Sequence, residues 1–218
     1  MDEMIANGGP GDVKVSIIES VSDAPAAASH IARSAQDNAL SNHIQTALSK
    51  SHDYSAWLRA MPSKTPPEIS RYQKKYGKCD LSAVSNEIEQ IGSFLSDGQF
   101  LFHGGLWPPH GPRRFVTTRP LSTSLCPQVA LRNAEFRAKA YDAGRIDLLV
   151  LRAVDLRTKA YVFKRKGTKL GHESEVLLAS GACLTLKAET LIRADYPAAK
   201  CDHPNKDIPI YVLEVEFS

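Results

Sequence analysis

The sequence predicts an α+β chain, with a helical lobe first and a β core after it. Between residues 29 and 97 apolar residues recur at intervals of three and four, the period of an amphipathic helix. From residue 99 onward they alternate or form short blocks, the pattern of strands. Asp97-Gly98 stands where the period changes, and that pair favours a turn. The organisation read from this is an arm over residues 1–28, a helical lobe over 29–97 and a β core over 98–218.

Residues 1–28 hold few large apolar side chains and many Gly, Ala, Ser and Pro, so burial there cannot offset the entropy of ordering. A flexible arm is expected, with a composition compatible with a type III secretion leader. Its one apolar patch, Val13-Lys14-Val15-Ser16-Ile17-Ile18, could pair as a strand or dock on a surface. Helical patterning starts near Ser29, where Leu40, Ile44, Ala47 and Leu48 make one face. Residues 53–60 form a short helix anchored by Tyr54, Trp57 and Leu58. Pro66-Pro67 opens another that ends at Gly77, because proline fits a first helical turn and glycine ends a last one. Asp80 is an N-cap for a longer helix carrying Leu81, Val84, Ile88, Ile91 and Leu95.

Strands are expected at 99–103, 114–119, 146–152, 160–163, 175–179, 182–187 and 209–217. One helix interrupts them, over 127–141, and Gly144 ends it. The last strand alternates clearly, with Tyr211, Leu213, Val215 and Phe217 on one face and Glu214 and Glu216 on the other.

Composition narrows the function classes. Among 218 residues, 43% are hydrophobic and 23% charged, as in an ordinary globular protein. A net charge of +3 is too weak to argue for nucleic acid, so Lys74-Lys75 and Lys164-Arg165-Lys166 read as solvated faces. The four cysteines show no Cys-x-x-Cys spacing, so no metal site is expected and reduced thiols are the default. Cys183, inside a strand-like run, reads as core. The histidines other than His103 and His172 read as surface residues. No apolar run approaches the ~18 residues that cross a bilayer, and no Sec-type leader or membrane association is expected.

Three islands carry chemistry: Phe102-His103-Gly104-Gly105, Leu121-Ser122-Thr123-Ser124 and His172-Glu173-Ser174-Glu175-Val176. In an extended strand Glu173 and Glu175 would share a face. Two carboxylates on one face repel, so stability alone does not favour them. Such a pair can accept a sugar hydroxyl, stabilise a developing cation or draw in a guanidinium. Val176-Leu177-Leu178-Ala179 reads as the buried strand behind them. Hydroxyls in Ser122-Thr123-Ser124 can bond to a facing strand, and Gly104-Gly105 lets a ligand approach the backbone. Glu214 and Glu216 have the same spacing with nothing else around them, which shows how little the spacing says alone.

Together the islands resemble the signature of the arginine-specific mono-ADP-ribosyltransferases, the group of bacterial toxins and type III effectors. That signature is a strand-end arginine, then Ser-Thr-Ser, then Glu-x-Glu heading a hydrophobic strand. The resemblance spans roughly residues 55–218. It implies a helical lobe on a two-sheet, mainly antiparallel β core, with NAD as substrate in the cleft between the sheets. It also implies roles. Glu175 would bond the ribose hydroxyl and stabilise the cation, Glu173 would orient and help deprotonate the target guanidinium, and Ser122 would support the catalytic glutamate. Thr123 and Ser124 would shape the pocket, and His103 and Gly104 would meet the NAD phosphates and ribose.

His103 departs from the family pattern, which has arginine there. A neutral imidazole offers one donor and cannot reproduce a guanidinium fork. A strand-end His-Gly is similar to the diphtheria-toxin and poly-ADP-ribose polymerase branch, which pairs it with tyrosines rather than Ser-Thr-Ser. Arg113, Arg114 and Arg119 are candidates for the missing charge. Two functions follow. One is an NAD-dependent mono-ADP-ribosyltransferase, a monomeric effector secreted into a host cell and modifying a host protein on arginine. The other is an altered transferase fold with weak or no NAD use that binds a cationic peptide or protein.

Overall fold

A computed structural model describes residues 21–108, 111–164 and 174–218. The apolar patch at 13–18, Glu173 and most of the segment before it lie outside the described residues. The helical part begins earlier than its apolar pattern suggests. Helix α1 (Ala24–Ser34) starts at the N-cap Asp23, whose carboxylate accepts the Ala26 N–H at 2.8 Å, and Pro25 sits in its first turn. Its buried face is Ala27, Ala28, Ile31 and Ala32. Three of these are alanines, which carry little hydrophobic signal but allow close packing.

Four more helices complete the lobe: α2 (Asn38–Lys50), α3 (His52–Ala60), α4 (Pro67–Lys75) and α5 (Leu81–Ile91). Asp80 caps α5 as its sequence indicates, accepting the Ser82 and Ala83 N–H groups at 2.9 and 3.2 Å. Helix α4 is anchored by buried Ile69 and Tyr72, and the Glu87 carboxylate accepts the Ile69 N–H at 2.8 Å. Helix α2 has no fully buried residue.

The strands are β1 (Phe100–Gly105), β2 (Arg114–Val116), β3 (Leu121–Ser124), β4 (Ile146–Ala153), β5 (Ala160–Val162), β6 (Glu175–Leu178), β7 (Cys183–Ala198) and β8 (Lys206–Phe217). They form one eight-stranded sheet in the order β2-β7-β8-β4-β1-β3-β6-β5, not two sheets. Pairing is antiparallel throughout except β4 with β8, which run parallel. The link between the two halves is narrow. Strands β1 and β3 share a single register pair, Phe102 with Ser124, and they part beyond it. The expectation of two sheets fails on that one rung, beyond which no further β1–β3 pair forms.

Each face of the sheet has its own core. Alternation along β4 sends Leu149, Leu151 and Ala153 to the side covered by α3, α4 and α5, where Trp57, Ile69, Tyr72, Val84 and Ile88 pack. Ile146, Leu148 and Val150 go to the other side, under α1 and α6 (Pro127–Glu135). The expected helix over 127–141 is broken. Arg137 and Ala138 take left-handed conformations (φ 57° and 59°), and the chain resumes as α7 (Lys139–Ala143). Two consecutive non-glycine residues there cost on the order of 1–2 kcal/mol each. Strand β7 runs far beyond the expected 187, and its second half is bulged, largely exposed and without clean alternation, so the sequence pattern does not display it.

Asp147 ties the sheet to the loop that follows β1. Its side chain is fully buried, and its carboxylate accepts the Trp107 N–H at 2.7 Å and the Arg145 Nε–H at 2.8 Å. Arg145 also reaches Glu189 at 2.9 Å and covers the Tyr211 ring at 4.2 Å. Replacing Asp147 by alanine strands the Trp107 N–H and leaves Arg145 with Glu189 and the Tyr211 ring. Asp147→Ala is expected to lower the unfolding free energy by about 2 kcal/mol, measured by urea denaturation, whereas a loss below about 0.5 kcal/mol would show that the loop does not depend on this carboxylate.

Candidate active site

Within the third island the described residues begin at a strained one. Ser174 takes a left-handed conformation (φ 46°) just before β6, and it is buried. Its carbonyl accepts the Leu125 N–H at 3.1 Å, and its hydroxyl accepts a hydrogen bond from Gln45 of α2 at 2.8 Å. The strand starts only at Glu175, so strict alternation does not extend back across Ser174. The shared face expected of Glu173 and Glu175 therefore does not follow from strand geometry, and Glu173 lies outside the described residues.

Glu175 is buried, and its carboxylate is held at both ends. The Ser122 hydroxyl donates to Oε1 at 2.8 Å, and the Gln73 amide of α4 donates to Oε2 at 3.1 Å. Register produces the first contact. Ser124 is opposite Glu175 and Ser122 opposite Leu177, so Ser122 is the diagonal neighbour of Glu175 on the same face. Behind the carboxylate, Val176, Leu177, Leu178 and Ala179 are all fully buried, which makes its platform rigid. Burial first, and the nearby Glu175 charge second, hold the Tyr72 phenol well above its ordinary range, so Tyr72 stays neutral beside the carboxylate.

The other hydroxyls of the second island bond the backbone. Thr123 donates to the Val176 carbonyl at 2.7 Å, fastening β3 to β6. The Ser124 hydroxyl accepts the Cys126 N–H at 3.0 Å, where the chain turns into α6. Gly104 likewise faces protein. A Cβ there would stand 1.9 Å from the Ala130 carbonyl oxygen of α6, so helix packing requires this glycine.

His103 sits where β1 and β3 part. Its Nδ1 lies 2.7 Å from the Ser122 carbonyl oxygen. A carbonyl only accepts, so Nδ1 carries the hydrogen and Nε2 of the neutral ring is left as an acceptor. Burial lowers the imidazole pKa below its ordinary value, the Lys139 and Arg119 charges lower it further, and the bond to Ser122 opposes the shift. Of the arginines considered for the missing charge, Arg113 bonds the Leu186 and Lys187 carbonyls and Arg114 meets the Cys183 sulfur at 2.9 Å, so both are engaged at the β2–β7 edge. That contact also places Cys183 beside a cation and only partly buried, not in the core. Arg119 remains, exposed and close enough to act on both His103 and Tyr72.

Sequence reasoning missed Gln73, Gln45, Tyr72 and Lys139. The first three come from helices far away in the chain, and a lone glutamine in a polar helix face carries no signal. Lys139 carries none either, since the helix pattern over 127–141 gives no warning of the break that places it. The described cysteines are all free, no described cluster could hold a metal ion, and no described helix could cross a membrane. His30 is not a bare surface residue, because its ring meets Asp37 at 2.8 Å.

No protein-family model matches the sequence, and no curated protein matches it. Solved structures of similar shape include the ADP-ribosyltransferase Vis of Vibrio splendidus in complex with an inhibitor, at 14% identity and TM-score 0.40, over 89% of this chain and 72% of that one. BECa, an ADP-ribosylating toxin of C. perfringens solved with NADH, gives 12% identity and TM-score 0.47 over 80% of this chain and 48% of its own. Plx2a, an ADP-ribosyltransferase toxin from Paenibacillus larvae, gives 9% identity and TM-score 0.40 over 87% and 90%. The chain thus spans about half the length of BECa.

A testable expectation attaches to His103. Its folded-state pKa lies below the ordinary 6.5, so a neutral ring contributes stability that is in place above about pH 6.5 and is lost as pH falls towards the folded value. Nitrogen NMR is expected to report the Nδ1–H form titrating below about 6.5. His103→Gln should flatten the acid-side loss of urea stability between about pH 5 and 7, and a ring titrating above 6.5 would refute burial as the governing influence.

Proposed function

We propose that this protein is an NAD-dependent mono-ADP-ribosyltransferase, a secreted bacterial effector that modifies a host protein on arginine. The observation that carries this reading is the Glu175 carboxylate, buried on a rigid strand with Ser122 and Gln73 on its two oxygens. A fixed anion in a protein-walled site is suited to positive charge that develops in a transition state, because it needs no reorganisation when the charge appears. In this reading Glu175 accepts a ribose hydroxyl of NAD and offsets the charge left on the sugar as nicotinamide departs. Ser122 keeps the carboxylate aimed. Glu173 receives the target guanidinium, as the family resemblance implies.

The phosphates of NAD need cations, and neutral His103 supplies none. Arg119 and Lys139 are exposed and both act electrostatically on His103, so they are assigned to the phosphates here. His103 offers the ligand its Nε2 as an acceptor. Thr123, Ser124 and Gly104 contribute by shaping the cleft walls, since their own contacts are with protein.

One observation favours a second reading. The only N–H of the neutral His103 ring already bonds Ser122, so no forked clamp exists at the strand end. An acidic site lacking that clamp suits a cationic peptide or protein without NAD. Calorimetric titration with NAD at neutral pH separates the two: micromolar affinity supports the transferase, and millimolar affinity or none supports the peptide binder.

Two variants test the assignments. Glu175→Gln should keep the fold and reduce nicotinamide release from NAD by a hundredfold or more, since such stabilisation is worth about 3–4 kcal/mol. Unchanged turnover would sink the role of Glu175. Arg119→Ala combined with Lys139→Ala should weaken NAD binding by at least about tenfold, as expected for loss of two charge-assisted contacts, and unaltered affinity would send the phosphates elsewhere.

A further inference from the structure

We propose that Gln73 is the positioning residue for Glu175, holding its second carboxylate oxygen so that the buried carboxylate stays ionised and correctly turned. The proposal rests on the transferase reading for its catalytic consequence, but the contact itself stands apart from it. Ser122 donates to one carboxylate oxygen of Glu175, and one hydrogen bond fixes one oxygen. A second donor on the other oxygen fixes both. Gln73 supplies it from 102 positions away in the chain, at 3.1 Å.

Direction is unambiguous. A carboxylate only accepts, so the amide nitrogen of Gln73 faces Glu175 and its carbonyl oxygen faces away. Gln73 itself is firmly placed. The preceding Tyr72 is buried in the core, Ile69 one turn earlier is fully buried, and the first turn of α4 is tied to Glu87 through the Ile69 N–H. Gln73 is therefore carried by a rigid helix and behaves as a brace. Helix α2 adds a parallel contact through Gln45 and Ser174, the residue beside Glu175. Two polar side chains from the helical lobe thus converge on consecutive residues at the head of β6.

A brace of this kind has an electrostatic consequence. Each hydrogen bond donated to a carboxylate favours its charged form, and burial opposes that form. Among the described residues, Tyr72 on α4 faces Glu175 and Arg119 lies near Tyr72. Tyr72 stays neutral, so it supplies no charge that could replace the lost amide. Removing the Gln73 donor should therefore make Glu175 bind protons more tightly and lose its fixed orientation together.

The test compares wild type with Gln73→Met, which keeps length and shape without a donor, and with Gln73→Lys, which keeps a donor. The carboxyl carbon of Glu175, assigned by its absence in Glu175→Gln, is titrated by NMR without any NAD. Gln73→Met is expected to raise the proton affinity of Glu175 at least about threefold with an unchanged melting temperature, and Gln73→Lys is expected to restore or exceed the wild-type behaviour. A smaller rise in Gln73→Met, or no rescue by lysine, overturns the proposal. With NAD, Gln73→Met should lower kcat for nicotinamide release at least about tenfold while KM moves less, and the acid limb of the pH profile should shift upward. If wild type neither binds nor cleaves NAD while the titration shift is present, the transferase reading fails and the brace stands. If NAD is cleaved and the titration does not move, the brace fails and the transferase stands.

Discussion

Everything in this molecule that concerns chemistry is arranged around one parting of strands. Strands β1 and β3 meet at Phe102 and Ser124 and then separate. In most sheets a separation exposes unpaired backbone groups that must find partners. Here an imidazole does part of that work, because His103 donates to the Ser122 carbonyl from across the gap. The ring spans the gap and satisfies one of the strands. The same act removes its donor from any ligand, so the residue that bridges the gap cannot also serve as a cationic clamp.

The Ser122-Thr123-Ser124 segment divides its labour by position. Ser122 touches the carboxylate, Thr123 fastens the strand behind it, and Ser124 starts the next helix. One segment thus sets the distance from Ser122 to Glu175 and also fixes the elements that bear them. Changes at Thr123 or Ser124 would reach the carboxylate through the backbone, without touching a ligand. The left-handed Ser174 belongs to the same economy, since strain there is held by a carbonyl bond to Leu125 and by Gln45.

Much of this was legible in the sequence, and the exceptions have physical reasons. The Asp80 cap, the helix that follows it and the buried Val176-Leu177-Leu178-Ala179 strand come from local patterns, and local patterns are what sequence displays. Ser122 and Glu175 were marked by motif order, and antiparallel register makes them neighbours. Gln73 and Gln45 were invisible because their partners lie 102 and 129 positions away. Helix α1 was hidden by alanine, which packs tightly but barely registers as apolar. The single sheet was hidden because one rung decides between one sheet and two. Arg119 was named among three candidates, and only side-chain direction could separate it from Arg113 and Arg114.

Gly104 bears on how such a cleft could breathe. The backbone of α6 rests against β1 there with no side chain between them, since a Cβ would fall 1.9 Å from the Ala130 oxygen. Backbone seated on backbone at this point, beside the packing of Phe102 with Leu131 and Ala134, ties α6 closely to β1. Helix α6 also begins just past Ser124, which fixes that end of β3 to the same pair of elements. A widening of the gap would then be expected to pivot near Phe102 and Ser124, the one rung that joins β1 to β3. The glycine most easily read as room for a ligand is instead the place where the hinge is made stiff.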